Sequence, residues 1–303
     1  MRAMTDAGTR FMPPELRAAL PELRLAARRP ARASGIGQHH SRSRGAGLEF
    51  SQYRIYEPGD DLRRIDWKLY ARSDRYFMRE AERESPLTLW LLLDASASMG
   101  QADTTRPGWC RLDAARAFAA ACIALALRQG DRFGLATITD GRLELVPAGS
   151  GPRHRDRCHL ALNHLAASGG WPDEAGLRPL WERVGAGDLL LMLADQFEDA
   201  GAALLVRLAA AGRDVSSLQI LTAEERDFPF RGGHRFRDVE SGSELLTDGT
   251  AARAGFIAEF TAAQRRLAAR LAAAGIRHVT HVLDEPLDRP LRLLFAAPRR
   301  AES

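Results

Sequence analysis

A chain of 303 residues has room for one large or two modest domains with a real hydrophobic core. Its 43 basic and 39 acidic residues leave a net charge of +4, too small by itself to imply a nucleic-acid partner. No apolar stretch approaches the ~20 residues that a membrane span needs, and the Arg-rich N-terminus lacks the apolar segment of a secretion signal, so a cytoplasmic protein is expected.

The charge is unevenly placed. Residues 1–47 carry nine Arg against three acids, and Lys68 is the only lysine. Cys110, Cys122 and Cys158 are odd in number and lack close metal-ligand spacing, so they read as reduced thiols.

Pro13-Pro14-Glu15 starts a helix with Leu16, Leu20 and Leu23 at helical spacing, and Pro21 kinks or splits it. Residues 34–47 form a Gly/Ser/Arg/His loop in which His39-His40 lacks a nearby third ligand. A dense polar-aromatic block follows over 45–84. Pro58-Gly59 fits the centre of a type II turn, and Asp60 or Asp61 is placed to cap a short helix through Trp67 and Tyr70. In this block Asp66 or Asp60 is expected to pair with Arg72 or Arg54, with Trp67 packed on the sheet.

Residues 87–93 are almost unbroken apolar sequence, the mark of a central strand covered on both faces. An apolar helix is expected over 111–129, a strand over 133–139, and an Asp140-Gly141 turn into an alternating edge strand, 142–146. Helices over 152–167 and 173–184 precede a second buried strand, 188–194, that ends at Asp195. A helix (200–211), a strand (214–221), a Gly- and charge-rich excursion (228–247), a long amphipathic helix (251–274), a strand (278–283) and a tail helix (291–297) complete the chain. The alternation implies an α/β fold: a doubly wound, mostly parallel sheet with one antiparallel edge strand.

Asp94, Ser96 and Ser98 stand at every second position where the first buried strand ends. They share a direction if the chain stays extended. One carboxylate and two hydroxyls form a hard-oxygen set that suits Mg²⁺, with Asp195 as a fourth ligand if the two buried strands are neighbours. The same residue types equally serve as caps of the next turn or helix.

Asp94-x-Ser96-x-Ser98-Met99 resembles the metal-ion-dependent adhesion motif of von Willebrand factor A domains. Gly45, Gly47, Glu49, Phe50, Tyr56, Pro58, Gly59, Asp60, Asp61, Arg64, Ile65, Asp66, Trp67, Ala71 and Arg72 resemble the bacterial domain-of-unknown-function 58 family, usually encoded beside MoxR-type AAA+ ATPases. The resemblance implies a von Willebrand factor A-like domain over 85–297, with an N-terminal family-specific segment, 1–84, packed on it. It further implies a non-enzymatic protein-interaction module with a Mg²⁺ held by Asp94, Ser96, Ser98 and Asp195. An open position on that ion would accept a carboxylate of a protein client, and a MoxR-like AAA+ ATPase would be the working partner.

One departure stands out. Such sites normally add a threonine from a loop after a glycine pair, but here Gly169-Gly170 is followed by Trp171-Pro172, with Ser168 on the other side of the glycines. Two other functions compete with the adhesion site. A serine hydrolase would use Ser98 as nucleophile with Asp195 and His281 following in order, but about ten loop residues separate Ser98 from the helix that should begin at once. A nucleic-acid binder would use the Arg-rich N-terminus and Arg153-His154-Arg155-Asp156-Arg157, which lack interleaved aromatic stacking platforms.

Overall fold

The computed structural model describes residues 11–26, 50–56, 65–81, 87–237 and 242–295. They fall into two units, one from 1–32 with 87–303 and one from 33–86.

Helix α1 (Pro14–Ala19) carries proline in its first turn, where a missing N–H is harmless. Pro21 sits in a following 3₁₀ turn, Leu20–Glu22, and so ends the helix rather than kinking it. The sequence groups this helix with 1–84; its contacts put it in the sheet unit. Leu16 and Leu23 are buried there. Leu25 and Gln129 exchange hydrogen bonds of 2.8 and 2.9 Å, and Arg128 donates to the carbonyls of Leu20 and Leu23.

In the second unit, β1 (Phe50–Ile55) pairs antiparallel with β2 (Phe77–Ala81), and α2 (Trp67–Ser73) lies between them in sequence. The cap of α2 is Asp66, not Asp60 or Asp61: one carboxylate oxygen accepts from the Lys68 and Leu69 amides at 3.0 and 3.1 Å. The helix starts at Trp67, so only the residue just before it reaches both free amides. Within this unit Trp67 meets Tyr70 edge-on. His39, His40, residues 45–49, the Pro58-Gly59 turn with Asp60 and Asp61, and Arg64 lie outside the described residues.

The sheet unit continues with β3 (Thr88–Asp94), α3 (Arg111–Gln129), β4 (Arg132–Thr139), β5 (Arg142–Gly149), α4 (Pro152–His164), α5 (Glu174–Arg183) and β6 (Leu189–Ala194). It then runs through α6 (Asp199–Ala210), β7 (Asp214–Leu221), α7 (Ala223–Asp227), β8 (Gly233–Arg237), β9 (Glu244–Asp248), α8 (Gly249–Ala273), β10 (Arg277–Val282) and α9 (Asp288–Phe295). The six-stranded sheet has the order β10-β7-β6-β3-β4-β5, parallel except for β5. This is the doubly wound sheet with one antiparallel edge strand read from the sequence. The β4–β5 turn works because Asp140 and Gly141 both take positive φ, 50° and 68°, which matches the strand twist. The excursion after β7 is a separate antiparallel pair, β8–β9.

Both faces of β3 are covered. Leu89, Leu91 and Leu93 join the apolar cluster built with α1, α3, α4 and α9; Trp90 and Leu92 join the opposite cluster with α5, α6 and α8. Each fully buried leucine contributes about 1.5–3 kcal/mol. Ala114, Ala115, Ala117, Ala119, Ala120 and Ala121 let α3 sit close against its neighbours, and all are buried. Cys122 and Cys158 are buried thiols that burial pushes up to about 12, chemically quiet as expected. Among the described residues no helix is long and apolar enough to cross a membrane.

Candidate functional site

Strand order reverses between β3 and β6, so the crevice at their carboxyl ends is the topological switch point, where doubly wound sheets bind ligands. The two strands run in register from Leu89 opposite Leu189 to Leu93 opposite Leu193. Asp94 and Asp195 therefore leave the sheet on the same rim, and both are 2% exposed. The structure brings all four residues named from the sequence to this rim, but by a different local route. The strand ends at Asp94 and the chain enters a 3₁₀ turn, Ala97–Gly100, so the Ser96 and Ser98 hydroxyls meet at 3.1 Å through a turn rather than through strand alternation.

Each carboxylate has protein donors on both oxygens. Asp94 Oδ1 accepts from the Ser96 amide and Oδ2 from the indole N–H of Trp171, both at 2.8 Å. Asp195 Oδ1 accepts from the Phe197 amide at 3.2 Å and Oδ2 from Arg111 Nη1 at 3.0 Å. Burial, and next the neighbouring Asp195 carboxylate, push Asp94 up to about 6 against the hydrogen bonds from Ser96 and Trp171.

Sequence reasoning missed Arg111, and it marked Trp171 only as a departure, not as a donor to Asp94. Arg111 is the first residue of α3, where a positive charge opposes the helix dipole. It is held there by what its guanidinium bridges: Nη1 donates to Asp195 and, at 2.9 Å, to the Ser98 carbonyl, while Nη2 donates to Glu225. Glu225 is fixed in turn by the α7 capping box, accepting from the Thr222 amide at 2.9 Å. Asp103 ties the loop after β3 to the same helix by accepting from the Ala223 amide. Burial opposes its charge, but hydrogen bonds from Thr105 and Ala223 outweigh that and hold its carboxyl below the usual range.

Trp171 is aimed by the loop before it. Ser168 N donates to Ala95 O at 2.9 Å, Ala97 N to Gly169 O at 2.7 Å, and Asp140 N to Ser168 O at 2.7 Å. This threads residues 168–170 between the end of β3 and the β4–β5 turn. Gly169 is required there: its φ is +62°, and a Cβ would lie 2.6 Å from Asp140 Cα. The indole then rests against Gly201 of α6, whose own Cβ would come within 3.2 Å of the ring. On the other side of the rim Gln196 takes φ +60°, costly for a residue with a Cβ, and is held by a 3.1 Å bond to Ser217. The turn keeps Asp195 inside while Phe197 is 48% exposed beneath the guanidinium, 5.2 Å from its ring centroid.

The donor set does not fit Mg²⁺. That ion wants six oxygens in near-ideal octahedral order. Where the resemblance places a ligand hydroxyl stands Trp171, whose indole is a donor only. Asp195 already holds a buried cation, and a divalent ion beside a guanidinium meets like charge.

The hydrolase constellation does not assemble. The hydroxyl of Ser98 partners Ser96, Asp195 is bound to Arg111, and His281 is fully buried against Phe118 with neither ring nitrogen hydrogen-bonded among the described residues. In the basic cluster of α4, His154 bonds the Phe133 carbonyl at 2.7 Å and Arg155 pairs with Asp156.

Known proteins resemble the chain at two levels. Uncharacterized proteins of Mycobacterium tuberculosis and Mycobacterium bovis are each 29% identical over 237 residues, 76% of this chain and 72% of theirs. Among solved structures, the conserved hypothetical protein BatB of Bacteroides thetaiotaomicron aligns over 69% of this chain and 97% of its own, at 16% identity and TM-score 0.40. The SpRpn10 VWA domain aligns over 69% and 95%, at 15% identity and TM-score 0.40. The family described as "Protein of unknown function DUF58" matches residues 52–267, and the chain belongs to it.

Proposed function

We propose that this protein is a non-enzymatic protein-interaction module whose recognition surface is the rim at the ends of β3 and β6. On this reading it acts with a MoxR-like AAA+ ATPase on a protein client, in assembly or maturation. The observation that carries it is the rim itself. Asp94, Ser96, Ser98 and Asp195 converge at the switch point, and the strained Gln196 turn presents a half-exposed aromatic, Phe197, beside them. Aromatic side chains at a fixed rim are typical anchors of protein recognition. The ATPase as partner rests on the resemblance to a family usually encoded beside MoxR-type AAA+ ATPases.

The test is co-purification of the tagged chain with a co-expressed MoxR-like AAA+ ATPase, comparing wild type with Phe197→Ala. The wild type is expected to retain the ATPase and the variant to lose at least about tenfold in affinity, equal to 1.4 kcal/mol. No retained ATPase with either protein would remove the partnership. Equal retention would move the contact away from this rim.

A further inference from the structure

We infer that the rim is built to work without a divalent ion, its charge balance supplied by the Arg111 guanidinium and its missing ligand position filled by the Trp171 indole. This deepens the proposed function by naming what holds the recognition surface.

Two independent observations carry it. The first is the ion pair network. Arg111 is 2% exposed and reaches three strand ends at once: the Ser98 carbonyl after β3, Asp195 after β6 and Glu225 in the helix after β7. A divalent ion at such a crevice would draw the same strand ends together, so the guanidinium does the ion's structural work. The second is Trp171, which donates to Asp94 from the loop where the adhesion motif expects a hydroxyl. Its ring is wedged against Gly201, so the position is filled by packing as well as by the hydrogen bond. The two residues come from different elements, the start of α3 and the loop before α5, and each neutralises or satisfies a different carboxylate.

Recognition then changes in kind. An ion with an open position recruits a partner's carboxylate. A guanidinium whose two terminal nitrogens are engaged by Asp195, Ser98 and Glu225 offers no such position, which leaves the exposed surface around Phe197 to make the contact.

The test uses the purified 303-residue chain and no partner, so an ion at the rim and a failed ATPase capture are separate results. Mn²⁺ serves as the probe, followed by electron paramagnetic resonance and by thermal denaturation with and without a chelator. The wild type is expected to show no saturable Mn²⁺ site that depends on Asp94, and the same Tm in Mg²⁺ as in chelator. A stoichiometric site abolished by Asp94→Asn overturns the inference; binding indifferent to that substitution lies elsewhere and agrees with it. The double variant Arg111→Ala with Trp171→Thr is expected to gain a Tm rise of several degrees on adding Mg²⁺, by linkage of binding to folding. A folded double variant without that gain overturns the assignment of these two residues. If it does not fold, the wild-type measurement decides alone.

Discussion

The indole N–H of Trp171 donates to Oδ2 of Asp94 at 2.8 Å, across 77 residues of sequence. Asp94 is buried, and its charge is opposed both by burial and by Asp195, while this bond and those from Ser96 favour the carboxylate form. Trp171→Phe keeps the aromatic packing and deletes only the donor. Its cost is expected at about 1.5–3 kcal/mol, the range for a hydrogen bond to a charged group. Urea unfolding should show a lower midpoint with an unchanged slope; no shift in midpoint would mean that the bond does not hold the loop.

Arg111 faces two carboxylates and a carbonyl from inside the fold. Arg111→Met leaves Asp195 buried without its cation, and breaking such a pair costs about 3–5 kcal/mol. Arg111→Lys retains the charge but not the fork that spans Asp195 and Glu225, so its stability should fall between wild type and Met. Thermal denaturation ranks the three proteins. Lys equal to wild type would show that charge alone, not the bridging geometry, is what matters.

Adjacent glycines make a controlled pair. Gly169→Ala meets both a positive φ and the Asp140 backbone, and is expected to cost about 1–3 kcal/mol. At Gly170 a Cβ meets nothing within 4 Å, so Gly170→Ala should change stability by about 0.5 kcal/mol or less. Matching losses at both sites would contradict the threading of this loop between Ala95 and Asp140.

Acid stability should depend on His281. Burial, and next Arg106, push its pKa down to about 4, against the pull of Asp284. A base whose pKa is lowered on folding takes up its proton more readily unfolded, so stability is full above pH ~6.5 and is lost as pH falls toward ~4. That window spans roughly 3 kcal/mol for one fully buried histidine. His278, also pushed down to about 4 by burial, adds to the same slope. His281→Leu is expected to flatten part of the loss between pH 6.5 and 4 in unfolding curves taken across that range. An unchanged slope would place the acid sensitivity elsewhere.

Much of the sheet could be read from local pattern, because burial on both faces leaves a signature in adjacent residues. The apolar runs of β3 and β6, the Asp140-Gly141 turn and the apolar helix over Arg111–Gln129 all lie where periodicity and turn chemistry put them. Caps were harder to place. Asp60, Asp61 and Asp66 are chemically alike, and only the true start of α2 at Trp67 selects Asp66. The sequence does carry a signal for Arg111: an arginine at the first position of a helix runs against the dipole and asks for a compensating anion.

By itself, the sequence determined the strand–helix order, the two buried strands and the aspartates that end them. These follow from side chains acting on their near neighbours. Only the tertiary structure decided what stands opposite those aspartates. Arg111 meets Asp195 across 84 residues and Trp171 meets Asp94 across 77, pairings set by strand order and loop threading that no local pattern encodes. The sequence shows a tryptophan where a ligand is expected; the fold turns its N–H onto the carboxylate and brings a guanidinium to the other.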